Sequence, residues 1–153
     1  MELIETHPEA SFYFFGPSKL SLSNLAGDAS NLANDWINWL EKADNVCLKG
    51  VLNTDKLAVE INEMDMFFIA LDNAKDKNKG ANSHKILEYL STGKVVVSKV
   101  LGEYANKPHL IEMTEGNSGK ELVKLFSKVI SKLEYYNSTE LQQMRKGFAK
   151  DNS

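Results

Sequence analysis

A chain of 153 residues with 42% hydrophobic and 25% charged residues is long enough for one globular domain with a real core, and one domain is the expected count. A formal charge of -3 gives no basic field and argues against nucleic acid as a partner, and one cysteine, Cys47, excludes an internal disulfide or a cysteine-built zinc site. Apolar runs of only a few residues exclude a membrane-spanning helix, and Met1-Glu-Leu-Ile-Glu lacks the basic start of a secretory signal, so the expected compartment is the cytoplasm.

Taken in order, residues 1–6 read as the tail of a helix that His7-Pro8 stops. Ser11 to Gly16 (S-F-Y-F-F-G) is an apolar aromatic run ended by Gly-Pro, the pattern of a strand feeding a turn. A Ser- and Asn-rich stretch leads to Asp28 or Ser30 as a cap, and to a helix with Leu32, Trp36, Trp39 and Leu40 on one face, its tryptophans packed on the sheet. Asn45 to Lys49 reads as a second strand, and Thr54 is expected to cap a helix carrying Leu57, Ala58 and Ile61.

Met66 to Leu71 (M-F-F-I-A-L) is too apolar for an exposed strand, and Asp72 to Gly80 is a polar loop containing Lys75, Lys77 and Lys79. The stretch that follows is the most informative. Asn82 or Ser83 caps a short helix, Ile86, Leu87 and Leu90 form its apolar stripe, Gly93 ends it, and Val95 to Val97 form a buried strand. His84 and Glu88 stand one turn apart on the opposite face, with Lys85 within reach of Glu88. His109 to Met113 is expected as a last short strand, Ser118 with Glu121 as a capping box opening a helix through Leu133, and Ser138 as the cap of a final helix carrying Leu141, Met144 and Phe148. Strands and helices alternate at the spacing of βαβ units, which predicts a Rossmann-like, three-layer α/β domain over residues 1–153 with a mostly parallel sheet. In such a sheet ligands collect beyond the carboxyl ends of the strands, where the loop into the helix after Gly80 lies.

At Asn82 to Ser98, N-S-H-K-I-L-E-Y-L-S-T-G-K-V-V-V-S, the chain resembles the N-P-x-K-x-x-E-Y-x-A-x-G-K-P-V-V-S segment of the C-terminal nucleotide-sugar-binding domain of GT-B retaining glycosyltransferases, the group 1 family. Four further pieces resemble the family in register: His7 to Pro17, Asn45 to Gly50, Glu63 to Ile69, and Arg145 to Ser153 (R-K-G-F-A-K-D-N-S). There are departures. Gly80 stands where many members carry an acid two turns before the position of Glu88, Ser83 replaces a proline, and Lys94-Val95 replaces Lys-Pro. The family's acceptor domain and the first strand of its donor domain have no counterpart in this sequence. The resemblance therefore implies the donor-binding part of a two-domain enzyme that moves a hexosyl group from a nucleotide sugar to an acceptor, the sheet lacking the family's first strand.

On the residues alone Glu88 reads as a solvent-facing acid paired to Lys85 or His84; the resemblance gives it the donor ribose, since a carboxylate accepts from two neighbouring hydroxyls. Lys85, in the first helical turn, faces either the leaving phosphates or Glu88. Asn82 and Ser83 offer donors at the same helix start, His84 a ring nitrogen, and Lys19, after the Gly16-Pro17 turn, a second phosphate contact. No catalytic residue is assigned. No metal is expected, because His84 has no second histidine at ligand spacing, and no cofactor is implied beyond a donor that is a UDP-sugar or GDP-sugar. Glu103 resembles a loop acid of the family. The implied partners are the nucleotide sugar and an acceptor domain or second chain. The alternative is a non-catalytic α/β module for protein interaction or regulation.

Overall fold

The computed structural model describes residues 1–17, 28–70 and 83–152, which divide into two compact units, Met1–Ala58 and Val59–Ser153. The architecture is α/β, and every strand pairing among the described residues is parallel. This is the class that the alternating periodicities predict.

In the first unit α1 (Glu2–Thr6) is followed by β1 (Phe12–Phe15), α2 (Asp28–Leu40) and β2 (Val46–Gly50), with β1 and β2 forming a two-stranded sheet. Asn45 organises its entry. Its Nδ2 donates toward the carbonyls of Ile4 at 3.2 Å, His7 at 3.0 Å and Ala10 at 3.2 Å, so α1 and the turn after it are tied to the start of β2. Ile4 and Leu40 are buried, while the residues of β2 are half-buried throughout. Trp36 and Trp39 stack on each other with centroids 5.4 Å apart, and both stay half-exposed. The side chain of Leu32 lies outside the described residues.

Helix α3 (Thr54–Asn62) is capped one residue earlier than the sequence suggests, since the Oδ1 of Asn53 accepts from the amide of Lys56 at 2.9 Å. Asparagine at that position offers a side-chain acceptor to the first free amides and leaves Thr54 inside the first turn.

The second unit contains β3 (Met66–Ile69), α4 (Ser83–Ser91), β4 (Val95–Ser98), β5 (Glu112–Met113), α5 (Gly119–Ile130), α6 (Leu133–Tyr136) and α7 (Thr139–Asp151), with a 3-10 turn at Gly102–Tyr104. The sheet order is β3-β4-β5, and β4, paired on both sides, is completely buried from Val95 to Ser98. Period-two alternation places its residues in two layers. Val95 and Val97 pack with Leu122 and Val129 of α5 and with Tyr136. On β3, Phe68 meets Phe126 of α5 edge to face, and Phe67 stacks on Tyr89 of α4 at 4.1 Å. Helices α4 and α5 therefore cover opposite faces, which is the three-layer arrangement. Each buried valine or leucine contributes roughly 1.5–3 kcal/mol of apolar transfer free energy.

Three expected elements are shorter than the pattern implies. β3 ends at Ile69, and Leu71 to Gly80, with Lys75, Lys77 and Lys79, lie outside the described residues. β5 covers only Glu112 and Met113; residues 108–110 form a turn instead, with His109 in the left-handed region at φ 68°. The helix from Gly119 stops at Ile130 and restarts as α6 at Leu133, the chain bending at Lys132. That bend lets Tyr136 pack under β4 and brings Asn137 beneath the sheet. There its Oδ1 accepts from the amide of Val95 at 2.9 Å while its Nδ2 donates to the carbonyl of Asp65 at 2.7 Å, clamping the amino ends of β3 and β4 together.

Candidate functional site

Because β3 and β4 are parallel neighbours, α4 runs back against them, and its last turn leads into the amino end of β4. Its first turn therefore lies at the carboxyl edge, where Ser98 Oγ donates to the carbonyl of Ile69 at 3.3 Å and joins the strand ends. Helix α5 starts at the same edge after β5. Its start is capped by side chains: Ser118 Oγ accepts from the amide of Lys120, and Glu121 Oε2 accepts from the amide of Gly116, ahead of the helix, at 2.9 Å. Glu121 thus closes the loop ahead of the helix rather than returning to the amide of Ser118, as a strict capping box would.

Helix α4 is anchored by Ile86 and Leu90, both essentially inaccessible, and by Tyr89 on Phe67. With those positions fixed, the 3.6-residue period turns His84, Lys85 and Glu88 outward, and all three are exposed. The structure brings these three candidates together on one helical face. Lys85 does not pair with Glu88; its Nζ lies 5.6 Å from the centroid of the Tyr89 ring, a cation over an aromatic face. Among the described residues the Glu88 carboxylate has no ion-pair or hydrogen-bond partner; only its backbone carbonyl is engaged, by Ser91 Oγ at 2.7 Å. Its acceptor lone pairs face solvent. Ser83 opens α4, but its side chain, together with Asn82, Lys19 and Gly80, lies outside the described residues. Glu103 is exposed on the 3-10 turn that follows β4.

The other end of the sheet holds a residue that the sequence reading missed. Arg145 is completely buried. Its Nε donates to the carbonyl of His109 at 3.1 Å, and its Nη1 to those of Gly93 at 3.0 Å and Tyr136 at 2.7 Å. Nη2 is buried without a partner among the described residues. Burial pulls the guanidinium below its usual pKa, with Glu112 acting in the opposite sense. The signal was available in the spacing: Leu141, Arg145 and Ala149 fall four apart on one stripe of α7, so an arginine occupies a core position.

A helix presenting a solvent-facing carboxylate, a lysine and a histidine within two turns, at the carboxyl edge of a parallel sheet, offers acceptors to hydroxyls and donors to anions. Among the described residues, no three His, Cys, Asp or Glu side chains converge as metal ligands. No helix among them is long and apolar enough to cross a membrane. Compared with protein-family models and with curated protein sequences, the chain matches none.

Proposed function

We propose that the chain binds a nucleoside-diphosphate sugar, UDP- or GDP-linked, as the donor-binding part of a glycosyltransferase. The observation that supports this most is the exposed carboxylate of Glu88 on α4, which has no ion-pair or hydrogen-bond partner among the described residues and lies one turn from His84 at the carboxyl edge of β3-β4-β5. In this reading Glu88 accepts from the ribose hydroxyls, and Lys85, His84 and the amino end of α4 at Ser83 meet the diphosphate. Glycosyl transfer passes through an oxocarbenium-like state while the nucleoside diphosphate departs, so positive groups near the leaving phosphates lower the barrier. Orienting an acceptor against the donor supplies a large part of such a rate, and that role falls to an acceptor domain.

The test is calorimetric titration of the chain with UDP, GDP and their sugar conjugates, repeated with Glu88→Gln. One nucleotide series is expected to bind, and the substitution, which keeps the shape of the side chain, is expected to weaken it at least tenfold. Binding unchanged in the variant would remove Glu88 from the site, and no binding by either nucleotide to a folded sample would overturn the reading.

A second reading, a non-catalytic α/β module that pairs with another copy of the chain, draws on β3. The strand M-F-F-I carries no charge and has the composition of an interior strand, yet among the described residues it pairs only with β4, and Phe68 remains 36% exposed. Sizing chromatography distinguishes it: the module predicts a dimer that Phe68→Lys disperses, and a sharp monomer peak for the unsubstituted chain excludes it.

A further inference from the structure

We draw no further inference here: the strongest candidate beyond these two readings, the open groove of about 320 Å³ in the first unit lined by Ile4, Pro8, Trp39, Lys42 and Asp44, is carried by no second observation, and nothing in the structure shows what covers it.

Discussion

The Nη1 atom of Arg145 donates to the carbonyl oxygen of Gly93 at 3.0 Å, joining residues 52 positions apart in a setting closed to solvent. Gly93 is the left-handed residue that ends α4, and its carbonyl points under the sheet rather than toward water. The same guanidinium donates to the carbonyls of Tyr136 at the end of α6 and His109 ahead of β5. One buried cation thus satisfies carbonyls from three chain reversals, all at the edge opposite the candidate site.

Removing it strands those acceptors. A buried polar group without a partner costs about 1–3 kcal/mol, so Arg145→Ala is expected to destabilise the chain by roughly 3–5 kcal/mol, a value that includes the cavity. Arg145→Met refills most of the volume and donates nothing, so it should cost less than alanine but still at least about 1 kcal/mol. Urea unfolding followed by far-UV circular dichroism checks both. A loss below about 1 kcal/mol for the alanine variant would mean that the carbonyls have another source of hydrogen bonds.

Gly93 tests the same joint from the other side. Its φ is 80°, and an added Cβ would lie 2.8 Å from Lys146 Cε and 3.0 Å from Gln142 Cβ on α7. The lysine tip can move, but the Gln142 Cβ, fixed to the helix backbone, cannot. Left-handed strain of roughly 1–2 kcal/mol plus overpacking of about 1–3 kcal/mol predicts a loss of about 2–4 kcal/mol for Gly93→Ala. Gly147, in the interior of α7 with nothing within 4 Å of an added Cβ, is the control. Gly147→Ala should raise stability by roughly 0.5–1 kcal/mol through helix propensity.

Much of this arrangement is legible in the residues because local and tertiary preferences agree. Val95 to Val97 read as a buried strand, Ile86 and Leu90 as the inward stripe of α4, and Gly93 as its stop, and each takes that role. His84, Lys85 and Glu88 follow from the stripe, since fixing one face of a helix fixes the other. What was not legible depends on long-range partners. The Asn53 cap, the bend at Lys132 and the length of β5 are set by hydrogen bonds or backbone angles that neighbouring residue types leave open. Arg145 stands in the sequence only as part of a closing motif, because a charged residue on an apolar stripe is ordinarily solvated unless partners distant in sequence exist. The pairing of Lys85 was also open. Glu88 and Tyr89 are both within its reach on the helix, and Tyr89, held flat by Phe67, wins.

The first unit carries a pH-sensitive contact. His7, buried, lies with its Nδ1 2.9 Å from Glu9 Oε1, and this side-chain hydrogen bond holds the Glu9 carboxyl below its usual value of 4.5. A carboxyl lowered in the folded chain adds stability above its unfolded value, and the contribution is lost as pH falls through the lowered folded value. Glu9 is fully exposed, so the effect on global stability is small, and the contact is best followed at the residue. A ¹³C NMR titration should show Glu9 with a midpoint below 4.5, returning toward it in His7→Phe, which keeps a buried ring and removes the donor. An unchanged midpoint in that variant would assign the shift to the backbone of the turn instead.

In the proposed site Lys85 divides its charge between Tyr89 and the ligand. Its ammonium rests over a ring that is itself stacked on Phe67, so the side chain is held near the first turn of α4 with no carboxylate partner among the described residues. If α4 receives a diphosphate, Lys85→Met should weaken nucleotide binding about two- to fivefold, roughly 0.5–1 kcal/mol for one solvent-exposed charge pair. It should also flatten the salt dependence of the affinity, because screening acts on the charge that has been removed. Stability should change by less than about 0.5 kcal/mol, since Lys85 is exposed. Tyr89→Leu separates positioning from charge: it keeps the lysine and its salt dependence but frees the side chain, so affinity should fall less than in Lys85→Met, while the lost stacking on Phe67 lowers stability. Calorimetry at two salt concentrations reads both variants beside the unsubstituted chain. Equal salt slopes with and without Lys85 would place the phosphates elsewhere on the sheet edge and leave Glu88 as the one residue of α4 to test for the sugar ring of the nucleoside.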